Sequence, residues 1–194
     1  MSEQNEIAKD YYKDWPKPSC KYIQDVNWAA KIGVQYLNSV KTKPSNKPKC
    51  VVFDIDDTLV FGDPESIIGV REMELGEHDG QEIFILPKNE PIVKLADYCK
   101  ANGFFIAVIT ARPKTSRLAS LTNMNMFKIP YDCLVMNDAD DDPCFKVNVR
   151  RKLAEKYNIV LTVGDMITDL LLCGTAAILK LPDPDSRNSY FGYF

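Results

Sequence analysis

The chain has 194 residues, 45% of them hydrophobic and 26% charged, with a net charge of −3. That length suits one globular domain with additions, and the composition is that of a chain able to bury a core. The acidic balance supplies no global field for nucleic acid or anionic lipid, so long nucleic acid is disfavoured as a partner.

The chain opens on MSEQNEIAKDYY, a polar stretch without the apolar segment of a signal peptide. The longest apolar run, GFFIAVIT at 103–110, is too short to span a membrane. Six cysteines occur without a C-x-x-C pair, and Cys50, Cys99 and Cys133 lie in apolar segments, which reads as buried reduced thiols. These features predict a cytoplasmic protein.

Two Pro/Lys/Ser stretches, DWPKPS (14–19) and KTKPSNKPK (41–49), punctuate the first quarter. Between them Ile23, Val26, Ala30, Val34, Leu37 and Val40 recur at helical spacing, predicting an amphipathic helix over 22–40. Residues 1–45 are thus expected to form a helical extension packed on a core of 46–194. From residue 50 the pattern alternates. Strands are predicted at 50–54, 104–109, 132–136, 159–163 and 176–180, with helices near 90–101, 114–126, 147–157 and 168–173. Short apolar strands separated by helices predict an α/β fold, a Rossmann-like parallel sheet flanked by helices with right-handed crossovers. One segment breaks the alternation: VREMELGEHDGQEIFIL (70–86) reads as a β-hairpin, a small cap inserted at about 60–88.

In such sheets ligands sit beyond the carboxyl ends of the strands, so what stands there matters most. The first strand ends in KCVVFDIDDTL, which places Asp54, Asp56 and Asp57 within four residues. Like charges this close repel, and a cation, a shared proton or solvent has to compensate. The second predicted strand ends in Thr110, followed by Ala111 and Arg112; Lys146 opens a helix; the fourth strand ends in GDMITD, with Asp165 and Asp169. Together these groups suit phosphoryl transfer, in which positioning and electrostatics do most of the catalysis. Asp54 can act as a nucleophile that becomes an aspartyl phosphate, and Asp56 can protonate the leaving oxygen and later deprotonate water. Asp54 and Asp165 offer the hard oxygen ligands that Mg²⁺ takes. Thr110 and helix-start amides can hydrogen-bond phosphoryl oxygens, and Lys146 can neutralise them.

The order D-x-D-x-T, then Thr, then Lys, then G-D-x-x-x-D resembles the haloacid dehalogenase (HAD) superfamily of phosphohydrolases. VFDIDDTL, FKVNVRRKL, VGDMITDL and LKLPDP, with the helix before the first motif, are similar to its acid phosphatase branch, which includes plant vegetative storage proteins and bacterial class B and C enzymes. The likeness spans roughly residues 20–185. It implies that Asp54 is the nucleophile and Asp56 the acid/base, and that Thr110, Ala111 and Lys146 bind phosphate. It also implies that Asp54, the Asp56 carbonyl and Asp165 hold Mg²⁺ with Asp169 in support, the substrate being a small phosphomonoester.

Other readings stay open. An enzyme of the same kind could be a nucleotidase or a phosphatase for nucleic-acid ends. A storage or binding protein could keep the fold without turnover. A receiver-type phosphoacceptor domain uses similar groups, but there Lys comes last, whereas Lys146 precedes Asp165. Asp57 suits a turn role, Arg112 suits a salt bridge or a substrate contact equally, and the acidic NDADDDP (137–143) suits a solvated loop. His78, the only histidine, falls at the predicted hairpin tip, which argues against histidine-based phosphatase chemistry. The aromatic tail NSYFGYF suits packing or a homo-oligomer contact.

Overall fold

A computed structural model of the protein describes residues 20–61, 86–137, 142–171 and 175–182. In chain order these form α1 (Cys20–Lys41), β1 (Lys49–Phe53), α2 (Glu90–Ala101), β2 (Phe105–Pro113), a 3₁₀ turn (Lys114–Ser116), α3 (Arg117–Met126), β3 (Cys133–Asn137), α4 (Phe145–Lys156), β4 (Asn158–Gly164), α5 (Ile167–Leu170) and β5 (Ile178–Lys180). The hairpin at 70–86, His78, most of the acidic loop and the aromatic tail lie outside the described residues.

The five strands pair in parallel in the order β3-β2-β1-β4-β5. Alternation along β1 divides the core in two. Val51 and Phe53 face the side covered by α1, α2 and Met124 of α3; Cys50 and Val52 face the side covered by Phe145, Val149 and Leu153 of α4. Helices on both faces of a parallel sheet are the doubly wound arrangement expected from the alternating pattern.

The predicted first helix is present and slightly longer; of its predicted stripe Val26, Ala30, Leu37 and Val40 are buried, and Ile23 and Val34 are half-buried against the core. Gly33 lets the helix approach closely, since a Cβ there would stand 3.0 Å from Leu95 of α2 and 3.2 Å from Leu179 of β5. Helix α2 begins at Glu90 with Pro91 in its first turn, where a missing N–H costs nothing.

Strand β2 runs four residues beyond its expected end at 109. Its ladder with β3 pairs Thr110 with Met136, breaks register, and resumes at Pro113 with Asn137. The irregularity turns the backbone at Ala111 and Arg112, which is not visible in hydrophobic periodicity. Cys50 and Cys99 are buried as free thiols, Cys133 is half-buried, and burial pushes the Cys99 thiol up to about 12. Among the described residues no helix is long and apolar enough to cross a membrane.

Candidate active site

The carboxyl ends of β1, β2 and β4 and the start of α4 meet at one end of the sheet, with β1 between β2 and β4. After β1 the chain stays in the ladder for one more residue, with the Asp54 N–H donating to the Val163 carbonyl at 3.2 Å. It then coils tightly: the N–H groups of Leu59 and Val60 both donate to the Ile55 carbonyl, at 2.8 and 3.0 Å. Asp57 takes φ +49° in this turn, a left-handed conformation that Asp tolerates better than most residues. The turn role read from the sequence agrees with that conformation. Beyond the turn, the Phe61 N–H donates to Pro87 at 2.7 Å and the Asn89 N–H to Leu59 at 2.9 Å, so the flanks of the 62–85 segment run side by side.

Three carboxylates converge. Asp54, Asp165 and Asp169 each offer an oxygen within 4.8 Å of the others, and all three are buried. Lys146, in the first turn of α4, reaches into the cluster; its Nζ lies 2.9 Å from Asp54 Oδ1 and 2.5 Å from Asp169 Oδ1. The other Asp169 oxygen accepts the Met166 N–H at 3.0 Å. Asp165 Oδ1 faces the hydroxyl of the buried Thr58 at 3.4 Å, joining the loop after β1 to the loop after β4. Gly164 makes room for this packing, because a Cβ there would stand 2.4 Å from the Asp169 Cβ.

Electrostatics describe a site short of positive charge. When all three carboxylates are ionised, the one ammonium paired with them among the described residues leaves two negative charges uncompensated. Burial raises the Asp54 carboxyl well above its ordinary value; Lys146 opposes the rise, and Asp169 and Asp56 add to it. Burial, then the neighbouring Asp169 and Asp57, push Asp165 up to about 7. Burial disfavours the Lys146 ammonium, but Asp54 and Asp169 outweigh it and the pKa is raised, so Lys146 is cationic. Asp54 Oδ1 is fully enclosed and faces the Lys146 ammonium at 2.9 Å. Three converging hard oxygen donors and a charge deficit of two fit a divalent cation. Asp54, Asp165 and Asp169 are the residues that could hold it.

Beside this cluster, Arg112 grips Asp56. Its Nε lies 2.9 Å from Asp56 Oδ2 and its Nη2 2.5 Å from Oδ1, a forked pair, while Nη1 reaches the Ser120 hydroxyl at 3.2 Å. Of the two roles open for Arg112 in the sequence, the described state shows the salt bridge. Thr110 is fully buried and its Oγ1 accepts the Arg112 N–H at 3.1 Å, whereas Ala111 is exposed. The sequence-predicted residues therefore gather at one end of the sheet in two groups, Asp54, Lys146, Asp165 and Asp169 in one, Asp56 and Thr110 in the other with Arg112.

Two contributors were missed in the sequence. Thr58 read only as the last letter of D-x-D-x-T. Arg150, which donates to main-chain carbonyls of the loop after β4, stood only as a letter of FKVNVRRKL. Its signal was available, since it lies four residues after Lys146 and so on the same helical face.

Comparison with known proteins assigns the class. The model of the HAD superfamily, subfamily IIIB (acid phosphatase), matches residues 3–187. The chain belongs to that family, and it is by that membership a phosphatase, a hydrolase. No curated protein matches it. Among solved structures, the class C acid phosphatase from Bacillus anthracis is similar at 18% identity and TM-score 0.63, over 87% of this chain and 71% of that one. The same enzyme with tungstate bound aligns at 15% identity and TM-score 0.61, with the same coverage of both chains. A chain of the Pnkp1/Rnl/Hen1 complex aligns at 18% identity and TM-score 0.56, over 72% of this chain but only 47% of that one. At these identities the structural likenesses speak for the fold.

Proposed function

We propose that the protein is a Mg²⁺-dependent phosphomonoesterase that works through an aspartyl phosphate on Asp54, with Asp56 as general acid and base. The observation that carries this reading is the convergence of Asp54, Asp165 and Asp169 around the Lys146 ammonium with two negative charges left uncompensated. Mg²⁺, held by Asp54 and Asp165 with Asp169 in support, would supply the missing charge and draw density from the phosphoryl oxygens.

The remaining chemistry belongs to the chain. An Asp54 oxygen forms a bond to phosphorus as the ester oxygen departs, and Asp56 gives that oxygen its proton. Asp56 then accepts a proton from water as the water oxygen attacks phosphorus. The Asp54–phosphorus bond breaks, and inorganic phosphate leaves. Arg112 gripping both Asp56 oxygens describes the ionised, acceptor-only form, the one the second step requires. In the first step at least one of these contacts has to give way as the carboxyl turns to the leaving oxygen. Lys146, Thr110 and the main chain at Ala111 are the proposed phosphate contacts; Lys146 would exchange a carboxylate for a phosphoryl oxygen.

Small phosphomonoesters are the substrate class this reading takes. The likeness to a chain of the Pnkp1/Rnl/Hen1 complex rests on fold alone, and the net charge of −3 weakly disfavours long polyanions. Phosphate release from nucleotides, sugar phosphates and phosphopeptides, measured in chelator and after restoring Mg²⁺, tests the proposal. Silence in chelator and recovery with Mg²⁺ are expected. Full activity in excess chelator would remove the metal from the mechanism.

A further inference from the structure

Among the described residues Arg150 is the largest of the fully buried side chains, with 1% of its surface exposed. A guanidinium stays charged in proteins, and burying a charge is costly unless its donors are used. The structure shows where one of its amino groups is used. Arg150 Nη2 donates to the carbonyl oxygens of Thr168 at 2.9 Å and Leu171 at 3.0 Å. Both belong to the end of α5, which at four residues is too short to satisfy its own carbonyls. A basic side chain is a common way to satisfy them.

Thr168 sits between the two carboxylates of this loop, next to Asp169 and three residues after Asp165. Asp169 is held through its side chain by Lys146 and the Met166 N–H. Asp165 is held far less: among the described residues it forms no ion pair, and the Thr58 hydroxyl approaches it only to 3.4 Å. Its position therefore depends on the backbone from 165 to 171, and that backbone is what Arg150 grips. Left to themselves, Asp165 and Asp169 repel, since their oxygens lie within 4.8 Å of one another.

We propose that Arg150 is the positioning residue of the metal-side loop: by fixing the carbonyls of Thr168 and Leu171 it holds Asp165 and Asp169 at the spacing a divalent cation requires. Helix α4 then carries two cations one turn apart with divided tasks. Lys146 meets the carboxylates, and Arg150 meets the main chain that bears them. This inference rests on reading the carboxylate cluster as a divalent-cation site.

The test is a titration of Mn²⁺ into wild type and Arg150→Met, followed by the EPR signal of the free ion, with thermal unfolding in excess chelator as the fold control. Methionine keeps most of the apolar stem and removes the donors. Binding about 10- to 100-fold weaker is expected, the range seen when groups that orient metal ligands are removed. Turnover should climb back toward wild type as Mg²⁺ is raised, which a purely structural defect would not do. Wild-type Mn²⁺ affinity in folded Arg150→Met, with only the melting temperature lowered, would overturn the proposal. Should Arg150→Met fail to fold, Arg150→Lys decides. Its ammonium falls one bond short of both carbonyls, so weaker Mn²⁺ binding is expected, and wild-type affinity would overturn the proposal equally. No Mn²⁺ binding by wild type would remove the cation-site reading and this inference with it, an outcome distinct from equal binding by wild type and variant.

Discussion

In the proposed site Asp165 would tie metal binding to pH. Its folded-state value of about 7 lies above its ordinary 3.8, so in the metal-free protein the folded state binds the extra proton. The stability it contributes is full below about 3.8 and is lost as pH rises through 7. A cation competes with that proton, so the sign for metal binding is opposite. Apparent Mg²⁺ affinity should fall as pH drops below 7, by about tenfold per unit for one displaced proton, and level off above it. Calorimetric titration from pH 5.5 to 8.5 checks this, and a flat profile would place Asp165 off the metal. Asp56 carries a separate expectation. Asp56→Asn should lower turnover by about 100-fold or more, and less for a nitrophenolate leaving group than for an alkoxide, because only the poor leaving group needs the proton. Equal losses on both substrates would take the acid role from Asp56.

At the scale of elements, the loop after β4 and the helix before β1 make opposite demands. Gly164 has no room for a side chain: a Cβ would stand 2.4 Å from the Asp169 Cβ and 2.6 Å from its Oδ2, and the first is too near the backbone to swing away. Gly164→Ala should displace Asp169 and cost roughly 100-fold in turnover, the scale of a misplacement of about 1 Å at a reacting centre. Near-normal turnover would mean that the loop adjusts without harm. Leu37 of α1 is fully buried in the larger core cluster and far in sequence from the site residues. Leu37→Ala should cost about 2–5 kcal/mol of stability, read as a lower denaturation midpoint, with turnover per folded molecule unchanged. Loss of turnover without loss of stability would give α1 a role at the site that its packing does not suggest.

The elements themselves were largely legible because each obeys a period. All five strands fall within two residues of their predicted starts, and α2 matches its predicted range. Exceptions have local causes. The extension of β2 follows from its broken register with β3 at Thr110 and Pro113, a pairing that no single-strand pattern encodes. The strand order β3-β2-β1-β4-β5 is a tertiary fact of the same kind. At the site, the order of acidic and basic groups along the chain anticipated the Asp54, Lys146, Asp165 and Asp169 cluster, because strand ends of a parallel sheet must share one edge. It left open whether Arg112 meets a carboxylate or a substrate, since a shared sheet edge does not say which side chains pair. Nor could composition separate Arg150, wholly buried, from Arg151 beside it, exposed. Only the partner of a charge, not its presence, distinguishes structure from solvent.

For the molecule as a whole, the account turns on one atom pair, an Asp54 oxygen and the substrate phosphorus. The fold delivers Asp54 at the end of the central strand, buried, beside Lys146 and the two carboxylates of the next strand's loop. Family membership makes the protein a phosphatase; the covalent step is the part that needs proof. The most direct measurement is the turnover of Asp54→Asn, shown to be folded by its melting profile, against wild type at saturating Mg²⁺. An amide is a poor nucleophile, so turnover should drop by about 1,000-fold or more, and an acid-quenched mixture should show phosphate on Asp54 in wild type alone. Wild-type turnover by folded Asp54→Asn would contradict the account.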